Sequence, residues 1–136
     1  MLQFEQAYLS TIYRVYSPSF EVDIRIKQHN KALVTLCEDN GIDTWAVITG
    51  FNPHSQEADD EFNLDANQTL GRELTRLGFK HLSAEGVPAD DSWQPEASFF
   101  VFNISLPQAA SLGRTFRQNA IVVGDQSGFS ELVWLR

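Results

Sequence analysis

Trp45-Ala46-Val47-Ile48 runs directly into Thr49-Gly50-Phe51-Asn52-Pro53-His54-Ser55. The first four residues are apolar without alternation. That is the pattern of a strand covered on both faces, and it places this segment at the centre of a sheet. Upstream, residues 30–40 carry Ala32, Leu33, Leu36 and Cys37 on one helical face and stop at Asn40-Gly41. Cys37 on that stripe reads as packing rather than as a reactive thiol. Phe20 to Ile26 alternates apolar and charged residues and pairs with Ile12–Tyr16 across Ser17-Pro18-Ser19 as an antiparallel hairpin. A short helix over residues 3–11 precedes it. Downstream, a helix runs to Leu77 before Gly78, followed by a weak strand at 79–86 and a loop at 87–97. Phe99–Phe102 is a second unbroken apolar strand. Ser105 with Gln108 forms a capping box, opening a helix whose Leu106, Ala109, Ala110, Gly113 and Phe116 face the core. Ala120–Val123 and Phe129–Leu135 close the chain as a hairpin across Asp125–Gly128. The order α-β-β-α-β-α-β-β-α-β-β predicts an α+β fold, a mixed sheet of about six or seven strands with three main helices packed on it, in a single domain over residues 1–136.

Composition narrows the function classes. The chain has 136 residues, of which 43% are hydrophobic and 12% aromatic, so it can bury a core and is not disordered. Its formal charge of −8 disfavours the phosphate backbone, and no nucleic acid is expected as partner. One cysteine excludes a disulfide framework and a thiolate-rich zinc site. The start, Met1-Leu2-Gln3-Phe4-Glu5-Gln6, lacks a secretory pattern, no segment has the length of a membrane span, and a cytoplasmic location is expected. No nucleophile elbow or phosphate loop appears, and His29, His54 and His81 lie in unrelated surroundings. No metal and no cofactor are expected.

The polar residues with most to say cluster after the central strand. Ligands of helix-flanked sheets sit beyond the strand C-termini. There Thr49, Asn52 and Ser55 offer short polar groups, Gly50 permits a close backbone approach, and Asn52-Pro53 reads as an extended residue before a rigid turn. Asn63, Asn67, Leu70, Leu74 and Leu77 recur at spacings of four and three, so one helical face carries leucines toward its end and asparagines toward its start. The leucines must face the sheet, which points the asparagines at the Asn52 loop, either bracing it or holding a ligand. The acids Glu57 to Glu61 suit a helix start. Trp93-Gln94-Pro95-Glu96-Ala97-Ser98 leads into the second core strand. Glu96 there is either a general acid or base in a cleft or half of an ion pair with Arg114 or Arg117. Gln118 lies just beyond the third long helix.

Several blocks together resemble the bacterial family known as domain of unknown function 3293. They are Tyr8 to Tyr13, Trp45 to Ser55, Trp93 to Phe99, Phe116-Arg117-Gln118-Asn119-Ala120-Ile121 and Gly128 to Val133. The resemblance covers nearly the whole chain and implies one intact domain with a shared polar edge, and it supplies no reaction. It also implies an asparagine followed by a basic residue one turn into the helix after the Asn-Pro loop. Asn63 or Asn67 fits the first; no arginine follows either at the expected place, and Arg72 comes later. A shorter likeness, Gly50-Phe51-Asn52-Pro53 to the Gly-x-Asn-Pro loop of mismatch-specific uracil glycosylases, lacks the later loop with which those enzymes grip DNA. Two functions follow. One is a small-molecule or nucleotide-like ligand site formed by Thr49, Asn52, Ser55, Asn67, Trp93, Glu96 and Gln118, with Glu96 the catalytic candidate. The other is a non-enzymatic module whose acidic surface meets a basic protein partner.

Overall fold

Two helix crossovers decide the architecture. The computed structural model describes residues 2–91 and 93–136; Met1 and Ser92, the latter in the expected 87–97 loop, lie outside them. Helix α1 (Leu2–Ser10) leads into strands β1 (Ile12–Tyr16) and β2 (Glu21–Ile24), then α2 (Lys31–Asn40) and β3 (Thr44–Ile48). A short 3-10 turn at Pro53–Ser55 precedes α3 (Asp60–Arg76), β4 (His81–Val87) and β5 (Glu96–Phe102). Helix α4 (Leu106–Thr115) and strands β6 (Ala120–Asp125) and β7 (Ser130–Trp134) complete the described chain.

The strands form one sheet in the order β2-β1-β4-β5-β3-β6-β7, with every neighbouring pair antiparallel. The expected mixed sheet is therefore corrected. Helix α3 joins β3 to β4, which run the same way, but β5 is inserted between them; β3 likewise separates β5 from β6. Crossovers normally imply parallel neighbours, and here an inserted strand splits each pair. The segment β3-α3-β4-β5-α4-β6 is thus a split βαβ arrangement, extended by β1-β2 at one edge and β7 at the other. The central strand is β5, with β3 interior beside it.

Alternation along the strands builds two cores. On one face Tyr13, Val15, Trp45, Val47 and Phe100 meet Leu33, Leu36 and Cys37 of α2, with Tyr8 and Leu9 of α1 packed alongside. On the other, Ala46, Ile48, Val101 and Ile121 meet Leu70 and Leu74 of α3 and Ala109 and Leu112 of α4. Helix pairs therefore cover both faces. Caps agree with the sequence: Asn30 opens α2, left-handed Gly41 closes it, Asp59 opens α3, and Ser105 with Gln108 boxes α4. Burial pushes the Cys37 thiol up to about 11, with the charge of Asp125 adding to it, so the thiolate that reacts is scarce at neutral pH.

Two apolar assignments need correction. Leu106 is exposed, because side chains tilt toward a helix's start and this first-turn residue overhangs the end of α4. Leu77 is also exposed: α3 ends at Arg76, and Leu77 is the cap residue just past that end.

Candidate functional site

The site begins where β3 stops. Thr49 Oγ1 donates to Ala97 O on neighbouring β5 (2.7 Å) and accepts from Phe51 N (3.0 Å), turning the chain off the sheet. Gly50 N donates to Asn67 Oδ1 (3.0 Å). A β-carbon on Gly50 would stand 2.9 Å from Ala66 C and 3.0 Å from Asn67 N, both α3 backbone atoms. The close approach that requires glycine is therefore to a helix and not to a ligand.

Asn52 is the hub of the loop. Its N–H donates to Asn63 Oδ1 (2.8 Å), while its Oδ1 accepts from Asn63 Nδ2 (2.8 Å) and from Ala58 N (2.9 Å). Its remaining amide hydrogens reach the other way, Nδ2 donating to Glu96 Oε2 (3.2 Å). Asn52 is left-handed (φ 46°, ψ 65°), which corrects the extended conformation expected before Pro53. This amide network overrides the local preference of a residue preceding proline. His54 and Ser55 also have positive φ, so the segment holds several backbones in a sparsely populated region. His54 N donates to Arg117 O (2.7 Å), tying the loop to the end of α4.

Strand β5 supplies the opposite wall. It begins at Glu96, three residues before the apolar run, and pairs there with Gly86 of β4. Glu96 Oε2 accepts from Trp93 Nε1 (2.7 Å) as well as from Asn52. Among the described residues no ion pair joins it to Arg114 or Arg117. Gln118 Nε2 donates to Phe51 O (3.0 Å) and Phe116 O (3.2 Å), bracing the loop from the α4 side. Ser55 Oγ accepts from Asn119 Nδ2 (2.7 Å) and shares a hydrogen bond with Tyr8 OH (3.0 Å), so α1 is fastened to the same loop.

These elements enclose a cavity of about 330 Å³ on the α1 side of the sheet. Thr49, Asn52, Ser55, Trp93, Glu96 and Gln118 line it; Asn67 does not, its Oδ1 holding Gly50 from behind. The acidic run contributes the cap Asp59, whose side chain accepts from Phe62 N (2.8 Å). His54 is not a lining residue. Sequence reasoning missed Tyr8, Tyr13 and Ser98, which also line the cavity. Ser98 was detectable, since Glu96, Ser98, Phe100 and Phe102 alternate onto one sheet face, and two polar residues ahead of two buried phenylalanines signal a gap in the core. Its hydroxyl is buried and has no hydrogen-bond partner among the described residues.

Burial raises the pKa of Glu96 above the ordinary carboxylate value, against the lowering effect of the hydrogen bonds from Trp93 and then Asn52. Burial likewise raises Tyr8, whose bond to Ser55 pulls the other way, with the charge of Glu96 adding to the rise. A carboxyl whose folded pKa is raised is stabilising below its unfolded value, about 4.3, and that contribution is lost as pH rises through the folded value. Glu96→Gln keeps an oxygen for Trp93 and Asn52 without the charge. Urea unfolding from pH 4 to 8 should show wild-type stability falling relative to Glu96→Gln as pH increases. Parallel curves would show that Glu96 ionises without cost.

The geometry defines an antiparallel α+β domain with a split βαβ core and one polar-edged cavity under its first helix. The family described as protein of unknown function DUF3293 matches residues 48–121, more than half of the chain, and the chain belongs to that family. The matched span holds Asn52, Asn63, Asn67, Trp93, Glu96, Ser98 and Gln118, whereas α1 lies outside it. No curated protein and no solved structure matches the chain. Among the described residues, no helix is long and apolar enough to cross a membrane.

Proposed function

We propose that the cavity binds a small molecule, with Glu96 as its polar anchor. The observation that carries this reading is the meeting, in one cavity of about 330 Å³, of a half-buried carboxylate and a Ser98 hydroxyl unpartnered among the described residues, against aromatic walls. Small-molecule sites are mostly apolar with a few convergent polar groups, and this volume lies at the lower end of their range. Asn52 and Trp93 orient Glu96 through Oε2, and no hydrogen bond to Oε1 is formed within the described residues. Thr49 and Gln118 act in this reading as positioning residues, since their hydrogen bonds hold the backbone of the loop. With its pKa raised by burial, Glu96 holds its proton more readily than an exposed carboxyl does, which suits it to exchange one with a bound group.

The test is a thermal-shift screen with ring-containing fragments bearing one polar group, followed through the protein's tryptophan fluorescence. A ligand at a hundred times its Kd adds about 2.7 kcal/mol of stability. Ser98→Leu, which fills the cavity with carbon, should abolish that gain. Hits that survive Ser98→Leu with undiminished shifts would move binding elsewhere on the surface.

A further inference from the structure

We infer that the cavity selects a small organic cation, a compact apolar body bearing a protonated amine or amidine that pairs with Glu96. This inference rests on the proposed binding role of the cavity and specifies its ligand. Among the described residues the Glu96 carboxylate receives hydrogen bonds only from neutral donors, the Trp93 indole and the Asn52 amide, and neither cancels its charge. Among the described residues no lysine, arginine or histidine lines the cavity, and its other ionisable carboxyl, Asp90, has the same sign. A half-buried carboxylate without a counterion carries an uncompensated desolvation cost, and a ligand cation is the group that offsets it.

The remaining lining fits the same ligand. An ammonium has several hydrogens to donate, and Glu96 is followed on the same sheet face by Ser98, whose buried oxygen has no partner among the described residues. Tyr8, Tyr13 and Trp93 supply aromatic surface, which attracts a desolvated cation through the ring quadrupole. The whole chain, at −8, draws cations toward its surface. A phosphate or carboxylate ligand would instead meet the Glu96 carboxylate, with no base among the described lining residues to receive it. That chemistry separates the cationic class from the nucleotide-like one.

The experiment titrates the full chain with three probes of similar shape: benzylamine, benzyl alcohol and benzoate, with Kd read by calorimetry. Benzylamine should bind at least about tenfold more tightly than the alcohol, the size expected of a charge-assisted hydrogen bond, and benzoate most weakly. Glu96→Gln should erase the preference for the amine, while Glu61→Gln, which removes an exposed charge on α3, should leave it intact. Should Glu96→Gln fail to fold, the ¹³C shift of the Glu96 side-chain carboxyl in labelled wild-type protein should move with benzylamine and not with benzyl alcohol. Equal or tighter binding of the alcohol or benzoate, with Ser98→Leu blocking it, overturns the cationic preference and leaves the binding site standing. Amine binding that is insensitive to both Glu96→Gln and Ser98→Leu marks surface attraction and overturns the inference. No binding of any probe, with the Glu96 carboxyl shift unmoved, overturns both the cation and the cavity.

Discussion

Gly50→Ala should destabilise the protein by roughly 2–3 kcal/mol, the upper range for forcing a methyl group into a filled space. The new β-carbon would lie 2.9 Å from Ala66 C and 3.0 Å from Ala66 O and Asn67 N. None of these is a side-chain tip that can rotate away, so either α3 or the loop must shift as a body. Gly50 lies outside the left-handed region that favours glycine, which makes the cost steric rather than conformational. Any shift also stretches the bond from Gly50 N to Asn67 Oδ1. Urea unfolding should give a lower midpoint with an unchanged m value. Combining Gly50→Ala with Asn67→Ala should cost less than the sum of the two, because both disturb one contact. A midpoint within error of wild type would mean that the loop has slack which the close packing denies.

Asn63→Ala should cost about 3 kcal/mol, from more than one bond. Asn63 is 3% exposed, and its side chain accepts from Asn52 N while donating to Asn52 Oδ1 and Ala58 O. Truncation leaves the N–H of Asn52, itself 7% exposed, without its acceptor, and each buried group left unpaired costs about 1–3 kcal/mol. Asn63→Asp separates the donor from the acceptor. It can still accept from Asn52 N, but when ionised it sets a carboxylate against Asn52 Oδ1, so at neutral pH it should rescue little of the loss. Melting temperatures of both variants, with hydrogen exchange over residues 50–58, check this. Full stability in Asn63→Asp would show that only the acceptor matters.

The parts of the fold visible in the sequence are those where one residue pattern had one physical solution. Trp45–Ile48 and Phe99–Phe102 are unbroken apolar runs, and both lie in interior strands. Asn63 and Asn67, on the helical face that buries Leu70 and Leu74, had to meet the Asn52 loop, and both hydrogen-bond to its backbone. Strand adjacency was not visible, because a crossover helix constrains direction and says little about which strand slides in between. The cavity was half visible. Asn52 and Glu96 are each marked by their place at a strand end, and they meet across 3.2 Å. Tyr8 and Tyr13 come from a separate part of the chain, and only the packing of α1 across the sheet brings them to the same space. Leu106 and Leu77 misled because helical spacing assigns a face but not the point at which the helix begins or ends.

Asn52 has a consequence that reaches past the loop it organises. Its side-chain oxygen is tethered to Asn63 on α3, in the layer behind the sheet, and its side-chain nitrogen to Glu96, which opens into the layer in front. One amide group is therefore a mechanical link in series around the sheet's edge. A displacement of the carboxylate must either part that link or pull on a helix seventeen residues long. The left-handed residues Asn52, His54 and Ser55 already hold this segment in a sparsely populated backbone conformation. Glu96 in the front layer and Asn63 in the rear layer thus share one side chain as their common tether.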